Sequence, residues 1–182
     1  MGSPRLKGNT DLLLDEALRG AQSQGVGVEK IIVDKLNISP CREYYGCLRD
    51  GNCVIKDDMT DIYMKLLKAD SVIVASPIFF YSLTSQVKAL IDRCQALWAR
   101  RYILKQPPPY SGRKGAFIAV GATKGTKLFD GSILTVKYFF QAIGVNYVDE
   151  LLIRGVDKKG EIRQHPTALP DAFELGKRIA QQ

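Results

Sequence analysis

Two continuous apolar runs constrain the fold more than any other feature of this chain. Residues 71–75 have the sequence SVIVA and residues 115–121 have the sequence GAFIAVG, without the polar alternation of a half-exposed strand. Continuous runs of this kind are typical of strands that helices cover on both faces, as in parallel sheets. A segment with helical apolar spacing separates the two runs, as a parallel crossover requires. The sequence therefore predicts an α/β fold.

The same alternation extends over most of the chain. Two more strands are predicted, from Val28 to Leu36 and from Asn146 to Ile153. Apolar periodicity predicts five helices, namely Thr10 to Gly25, Asp57 or Asp58 to Leu67, Val87 to Leu97, Gly131 to Ile143 and Pro170 to Ala180. Strands that alternate with helices predict a doubly wound parallel sheet. At 182 residues, we expect a single domain over residues 1–182.

Composition limits the partners that we expect. The longest apolar stretch, residues 72–83, is interrupted by Ser76, Pro77 and Ser82 and is too short to span a bilayer. No charged-then-apolar leader opens the chain, so we expect a cytoplasmic protein that binds no membrane. The net charge of +7 is spread along the sequence. This distribution favours a solvated basic surface, suited to small anionic ligands, over a nucleic-acid site.

Three loops fall at the carboxyl ends of predicted strands or before the first helix, where doubly wound sheets bind ligands. The first, GSPRLKGNT (residues 2–10), is cationic, rich in donors and placed at a helix start, so it suits a phosphate. The second, SPIFFYSLT (residues 76–84), is aromatic and suits one face of a flat ring. The third, GATKGTKLFDG (residues 121–131), offers Thr123 and Lys124 to polar ring atoms. Together they predict a mononucleotide site.

Two common nucleotide motifs are excluded. A P-loop needs G-x-x-x-x-G-K-[ST], but Gly2 and Gly8 are one residue too far apart and no lysine follows Gly8. A dinucleotide fingerprint needs G-x-G-x-x-G, but the third glycine after Gly25 and Gly27 is replaced by Lys30.

Three segments, GSPRLKGNT, CREYYGCLRDGNCVIKDDM and ASPIFFYSLTSQVKALIDR, resemble the flavodoxin-like NADPH-dependent FMN reductases, and most closely their iron–sulfur flavoprotein branch. The resemblance implies a flavodoxin-like sheet of order 2-1-3-4-5 with FMN bound non-covalently. It implies an FMN-dependent oxidoreductase that passes electrons from NAD(P)H to a quinone, a flavin or another acceptor, with no catalytic side chain because the flavin carries the chemistry. It also implies a homodimer or homotetramer, with the IFFYSL loop and residues 98–110 as contact surfaces.

The resemblance implies a set of cofactor-binding residues. Ser3, Arg5, Asn9 and Thr10 would hold the phosphate, Pro77, Ile78, Phe79 and Phe80 would line the isoalloxazine, and Thr123 with Lys124 would lie near its polar edge. Lys124 would there stabilise the reduced, anionic flavin. Simpler interpretations are helix capping for Ser3, Asn9 and Thr10, and core packing for one of the two phenylalanines.

Two other functions stay open at this point. The first alternative is an FMN-containing electron carrier that serves a redox partner and has no substrate pocket. The second is a flavodoxin-like interaction module without a cofactor.

The start of the chain departs from the flavodoxin pattern. In the order 2-1-3-4-5, the strand before the first loop is central and pairs on both sides. Met1 stands where that strand would end. We therefore expect the first strand to be missing or truncated in this sequence, with Met1 as the last residue of an apolar strand.

The cysteines depart from the pattern as well. The iron–sulfur branch carries a motif close to C-x2-C-x2-C-x5-C, and Cys41, Cys47 and Cys53 are in register with it. Tyr44 occupies the remaining cysteine position, and a cubane cluster prefers four thiolates. We expect no iron–sulfur cluster and no zinc site. The alternative is a cluster that the three cysteines hold without a fourth thiolate. Cys94 is predicted to be a buried packing residue.

Overall fold

The sheet has three parallel strands in the computed structural model, which describes residues 1–181. The strands are β1 (Ser71–Pro77), β2 (Lys114–Gly121) and β3 (Asn146–Arg154). The helices are α1 (Asn9–Gln22), α2 (Cys47–Asp50), α3 (Met59–Lys68), α4 (Ser85–Arg93), α5 (Gln95–Trp98), α6 (Asp130–Ile143) and α7 (Ala168–Ala180). The strand order is β1-β2-β3, with Ser71 opposite Lys114 and Lys114 opposite Asn146. The predicted α/β architecture with a parallel sheet is confirmed.

Strand β2 explains why the apolar runs are continuous. Phe117 and Ala119 point into a core formed with α3, α4 and α6. Ala116, Ile118 and Val120 point into a second core formed with α1 and α7. Since helices cover both faces, every position from Gly115 to Gly121 is buried. Alternation returns in β3, one of the two edge strands, where exposed and partly buried residues take turns over most of the strand.

The predicted strand from Val28 to Leu36 is wrong. The structure has no strand there, and Val33–Lys35 forms one turn of 3-10 helix. The Met1 amino group donates to the Ile31 carbonyl at 2.7 Å, and the Val33 amide donates to the Met1 carbonyl at 3.0 Å. Contact with a single residue is too short to form a β ladder. The order 2-1-3-4-5 is accordingly not confirmed.

The other predicted elements are present with small shifts at their ends, except that the predicted helix from Val87 to Leu97 is divided at Cys94 into α4 and α5. Helix α7 begins at Ala168, so Pro170 lies in its first turn as expected. The elements that were not predicted include the short helix α2 within the cysteine segment, a π-helical stretch at Ala99–Ile103 and a 3-10 turn at Glu161–Gln164. In the part of the chain described, no helix is long and apolar enough to cross a bilayer. The single domain over residues 1–182 stays a prediction, and Gln182 lies outside the described residues.

Helices α1 and α7 approach each other closely because glycines lie where they meet. A Cβ atom at Gly176 would lie 1.8 Å from the Ala17 carbonyl oxygen. One at Gly20 would lie 2.0 Å from the Phe173 carbonyl oxygen. Ordinary contacts between carbon and oxygen begin at about 3.3 Å, so neither position accepts a side chain unless the helices separate. This contact fixes α1, whose first turn faces the candidate site.

We expect Gly176→Ala to lower the free energy of unfolding by about 2 kcal/mol, the cost of overpacking a closed contact. This loss exceeds the gain of about 1 kcal/mol that alanine brings to a helix. Urea unfolding followed by circular dichroism measures the change. The control is Gly27→Ala, where a Cβ would meet nothing within 4 Å. A Gly176→Ala protein as stable as the wild type would contradict the close contact.

Candidate functional site

An open groove lies at the carboxyl ends of the strands. Four chain segments line it: Ser3, Pro4, Arg5, Gly8, Asn9 and Thr10 before and at the start of α1; Pro77, Ile78 and Phe79 after β1; Val120 and Ala122 at the end of β2; and Val156, Asp157 and Lys159 after β3.

Backbone hydrogen bonds bring these segments together. The Gly2 amide donates to the Ala75 carbonyl of β1 at 2.7 Å, and the Ile78 amide donates to the Val120 carbonyl at 2.9 Å. The buried Thr84 hydroxyl donates to the Gly2 carbonyl at 2.8 Å and also caps α4. Gly2 cannot carry a side chain, because a Cβ would lie 2.1 Å from a Val87 methyl group. The first loop is thus fixed against the sheet and the loop after β1.

The start of α1 opens into the groove with free donors. Gly8 is the N-cap residue, and no side chain caps the helix. The first intrahelical bond runs from the Leu12 amide to the Gly8 carbonyl, so the amides of Asn9 and Thr10 precede it. Ser3 uses its hydroxyl to accept a hydrogen bond from the Arg5 amide at 3.1 Å. The capping interpretation for Ser3, Asn9 and Thr10 therefore does not describe this helix start.

The buried Asp11 carboxylate holds the first loop in place, and a neighbouring lysine offsets its negative charge, so that it does not repel an anionic ligand. Asp11 accepts a hydrogen bond from the Lys7 amide at 2.7 Å and forms a salt bridge with Lys30 at 2.5 Å. Partial burial alone would lower the pKa of Lys30, but its hydrogen bonds to Asp11 and Asp15 outweigh burial and raise that pKa. Lys30 therefore stays charged and offsets the negative charge of Asp11 at the helix start. Sequence reasoning missed both residues.

The loop after β1 forms the apolar wall of the groove and then turns outward. Phe79 and Ser82 exchange backbone hydrogen bonds of 2.9 and 3.0 Å, which closes a two-residue turn. Both turn residues, Phe80 and Tyr81, have positive φ angles of 49° and 62°, a conformation that bulky residues rarely adopt. Phe80 is fully exposed and does not line the groove. Neither phenylalanine is a core residue, since Phe79 is 48% exposed.

The third loop lies beside the groove. The Lys124 side chain packs over Gly155, where a Cβ would lie 2.9 Å from its Cε atom. The Thr123 carbonyl accepts a hydrogen bond from the Gly155 amide at 3.3 Å. Arg154 holds the next part of the loop by donating to the Gly125 and Thr126 carbonyls at 3.2 Å each. Neither Thr123 nor Lys124 is among the residues that line the groove.

The structure brings seven of the ten residues expected at the cofactor into one groove, and their roles there stay predictions. Phe80, Thr123 and Lys124 lie outside it. The residues that sequence reasoning missed come mainly from the end of β2 and the loop after β3. The signal was available, because the carboxyl ends of all parallel strands meet at one edge. The loop after β3, the last strand, ends at this same edge but was not among the three loops predicted to form the site.

The groove fits a flavin mononucleotide by its own chemistry. One end has the uncapped helix start and the exposed Arg5 side chain, which suit a phosphate. The adjoining wall of Pro77, Ile78 and Val120 is apolar and suits a planar ring. Gly8 lets the first loop fold closely against the helix start, because a Cβ there would lie 2.9 Å from the Arg5 carbonyl oxygen.

The cysteine segment does not fit an iron–sulfur cluster. Among residues 1–181, no three His, Cys, Asp or Glu side chains are placed to hold a metal ion. Burial raises the pKa of the Cys47 thiol. Cys94 is buried, as predicted, and burial raises the pKa of its thiol strongly.

An ion pair anchors the end of this segment. Arg93 donates to the Asp57 carboxylate at 2.7 and 3.1 Å and to the Ser39 and Ile55 carbonyls. Burial alone would raise the pKa of Asp57, but the hydrogen bonds from Arg93 and from the Ser39 and Met59 amides lower it. Because both side chains are almost fully buried, the pair holds the segment against α4 as a structural element.

The chain matches known proteins over most of its length. Residues 1–146 match the family model described as NADPH-dependent FMN reductase. An iron–sulfur flavoprotein of Archaeoglobus fulgidus is 37% identical over 74% of this chain and 67% of its own length. One of Methanocaldococcus jannaschii is 31% identical over 99% of this chain and 93% of its own length. The chain spans only 54% and 61% of two other iron–sulfur flavoproteins, from Archaeoglobus fulgidus and Methanosarcina thermophila.

Solved structures show the same fold. An NAD(P)H:quinone oxidoreductase from Methanothermobacter marburgensis superposes with a TM-score of 0.70 at 15% identity, over 100% of this chain and 93% of its own. The flavodoxin of Megasphaera elsdenii superposes with a TM-score of 0.54 at 15% identity, over 96% of this chain and 92% of its own. The predicted flavodoxin-like fold class is confirmed.

The absence of a cluster stays a prediction, and one variant tests its cause. We expect Tyr44→Cys to restore the fourth thiolate and to bind about four iron atoms per chain after anaerobic reconstitution with iron and sulfide. The wild type should bind far less. Iron content and visible absorption measure both. The control, Tyr45→Cys, places an equally exposed cysteine out of register. Equal iron uptake by the two variants would show that Tyr44 is not what prevents the cluster.

Proposed function

Because the chain belongs to the NADPH-dependent FMN reductase family, we propose that it holds FMN in the groove and passes electrons from NAD(P)H to a quinone, a flavin or another acceptor. The family match confirms the sequence-based predictions of an oxidoreductase and of FMN as its cofactor. The main structural support for this proposal is that an uncapped helix start and an apolar wall open into the same groove.

The chemistry that FMN supplies when bound is acceptance of a hydride and release of electrons to an acceptor. The part of the protein is to bind the FMN and to orient it. Arg5 and the amides of Asn9 and Thr10 would hold the phosphate, and Pro77, Ile78 and Phe79 would hold one side of the ring. No side chain needs to act as acid or base, which agrees with a groove whose only carboxylate is the exposed Asp157.

A direct assay tests this proposal. We expect the protein with FMN to oxidise NADPH or NADH when a quinone or free flavin is supplied, without any added reductase. Turnover only after a separate reductase is added would favour the electron-carrier alternative. A colourless protein that takes up no added FMN would overturn the proposal and favour the interaction module.

Arg5→Gln tests whether the first loop binds the phosphate, when the affinities of the apo-protein for FMN and for riboflavin are measured by titration. The loss of one charge-assisted hydrogen bond costs about 1.5–3 kcal/mol, so we expect FMN to bind at least about tenfold more weakly. Riboflavin, which has no phosphate, should bind as it does to the wild type. The control is Arg19→Gln, an exposed arginine near the other end of α1. Equal losses for FMN and riboflavin would contradict a phosphate role for Arg5.

We also propose that two copies of the chain associate beside the groove. Phe80, Tyr81, Leu134 and Tyr138 form an exposed apolar patch, with the last two at 57% and 66% exposure. The patch is continuous, because the Tyr81 carbonyl lies 3.2 Å from the Cβ position of Gly131 and residues 131, 134 and 138 share one face of α6. Exposed patches of this kind mark interaction sites.

Sedimentation velocity measures the association. We expect the wild type to sediment as a dimer or tetramer and Tyr138→Glu to shift it towards the monomer, because a buried unpaired carboxylate opposes the interface. Met64→Glu is the control, since Met64 is an exposed residue of α3 outside the patch. A wild type that stays monomeric, or a Tyr138→Glu protein that associates unchanged, would contradict this surface.

A further inference from the structure

The loop after β3, residues 155–162, forms a wall of the groove that the family match does not reach. The family model covers residues 1–146, whereas Val156, Asp157 and Lys159 line the groove on the side of the first loop. The loop therefore lies beyond the residues that the family model describes.

The Asn9 side chain is hydrogen-bonded to this loop at both ends of its amide. Its Nδ2 atom donates to the Lys158 carbonyl at 3.0 Å, and its Oδ1 atom accepts from the Ile162 amide at 3.2 Å. Ile162 is completely buried in the core between the sheet and α7, so the loop is anchored at that end. With both polar ends of its amide used, the Asn9 side chain holds the loop against the start of α1.

The Glu161 carboxylate holds the 155–162 loop in shape through hydrogen bonds within the loop. Glu161 accepts hydrogen bonds from the Asp157 and Lys158 amides at 2.8 Å each. These two backbone hydrogen bonds lower the pKa of the Glu161 carboxyl. Gly160 supplies a positive φ of 79°, which lets the chain reverse between Lys159 and Glu161. The backbone around Lys159 is thus set before any ligand arrives.

Lys159 is left facing the groove without a charged partner. It is exposed, and none of the salt bridges found within residues 1–181 involves it. Lys158, its neighbour, does not line the groove and holds the loop through its backbone, whose carbonyl accepts from Asn9 and whose amide donates to Glu161. The groove therefore has two cations at its loop end, Arg5 from the first loop and Lys159 from the last.

We propose that Lys159 is a second cationic contact of the FMN phosphate and that Asn9 positions it by docking the 155–162 loop on the start of α1. The inference rests on the proposed function, because it concerns the same cofactor. It differs from the sequence-based expectation, in which the Asn9 side chain contacts the phosphate itself. It makes the C-terminal part of the chain a determinant of selectivity for FMN over riboflavin.

The experiment compares Lys159→Met with Lys158→Met in apo-protein titrated with FMN and with riboflavin, followed by flavin fluorescence. We expect Lys159→Met to weaken FMN binding about tenfold and to leave riboflavin binding unchanged. Its FMN affinity should also depend less steeply on salt, because one ionic contact is gone. Lys158→Met should match the wild type for both ligands. Because Lys159 is exposed, neither substitution disturbs the fold.

Asn9→Ala separates positioning from direct contact. If Asn9 acts through the loop, Asn9→Ala weakens FMN binding, and adding Lys159→Met to it causes little further loss. Losses that multiply would show that the two residues act independently and would overturn the positioning role. Circular dichroism of both variants confirms that they fold.

The outcomes also separate this inference from the proposed function. If the wild type binds FMN and Lys159→Met binds it equally well, the Lys159 contact is wrong and the proposed function stands. If Lys159→Met weakens FMN and riboflavin alike, Lys159 shapes the groove and does not contact the phosphate, which also overturns the inference. A wild type that binds no FMN overturns both.

Discussion

The hydrogen bond from the Gly2 amide to the Ala75 carbonyl is the contact on which the site depends. It joins the first loop to the end of β1, and the Thr84 hydroxyl reinforces it from α4. Without it, the start of α1 and the wall after β1 would be separate surface features. Because a side chain at position 2 would collide with Val87, the approach of backbone to backbone is possible only with glycine.

Charge in the site is arranged by residues that never line the groove. Asp11 fixes the first loop through the Lys7 amide, and Lys30 offsets its charge. Glu161 performs the corresponding task for the last loop through two amides. Each carboxylate is occupied by backbone donors or by a cation, so the charges left facing the groove are those of Arg5, Lys159 and Asp157. An anionic ligand therefore meets a net positive surface.

Much of this was predictable from sequence, for physical reasons. Continuous apolar runs revealed β1 and β2, because burial on both faces removes polar positions. The segment at Val28 to Leu36 contains a shorter run of the same kind, Ile31-Ile32-Val33, yet strand formation depends on a neighbouring strand and not on local preference alone. Phe80, Thr123 and Lys124 lie outside the groove for a related reason, since a loop's direction follows from contacts such as that of Tyr81 with the start of α6. Sequence pattern does not encode these contacts.

The close packing of α1 on α7 connects the two ends of the chain at the site. Gly20 and Gly176 let the helix axes approach until side chains are excluded, and this fixes the rotation of α1 about its axis. The orientation of α1 decides where Asn9 points, and Asn9 in turn fixes the 155–162 loop. A residue pair far from the groove is thus connected to the loop that carries Lys159. The selectivity for a phosphate-bearing ligand that we propose would therefore depend on helix packing as well as on the loop sequence.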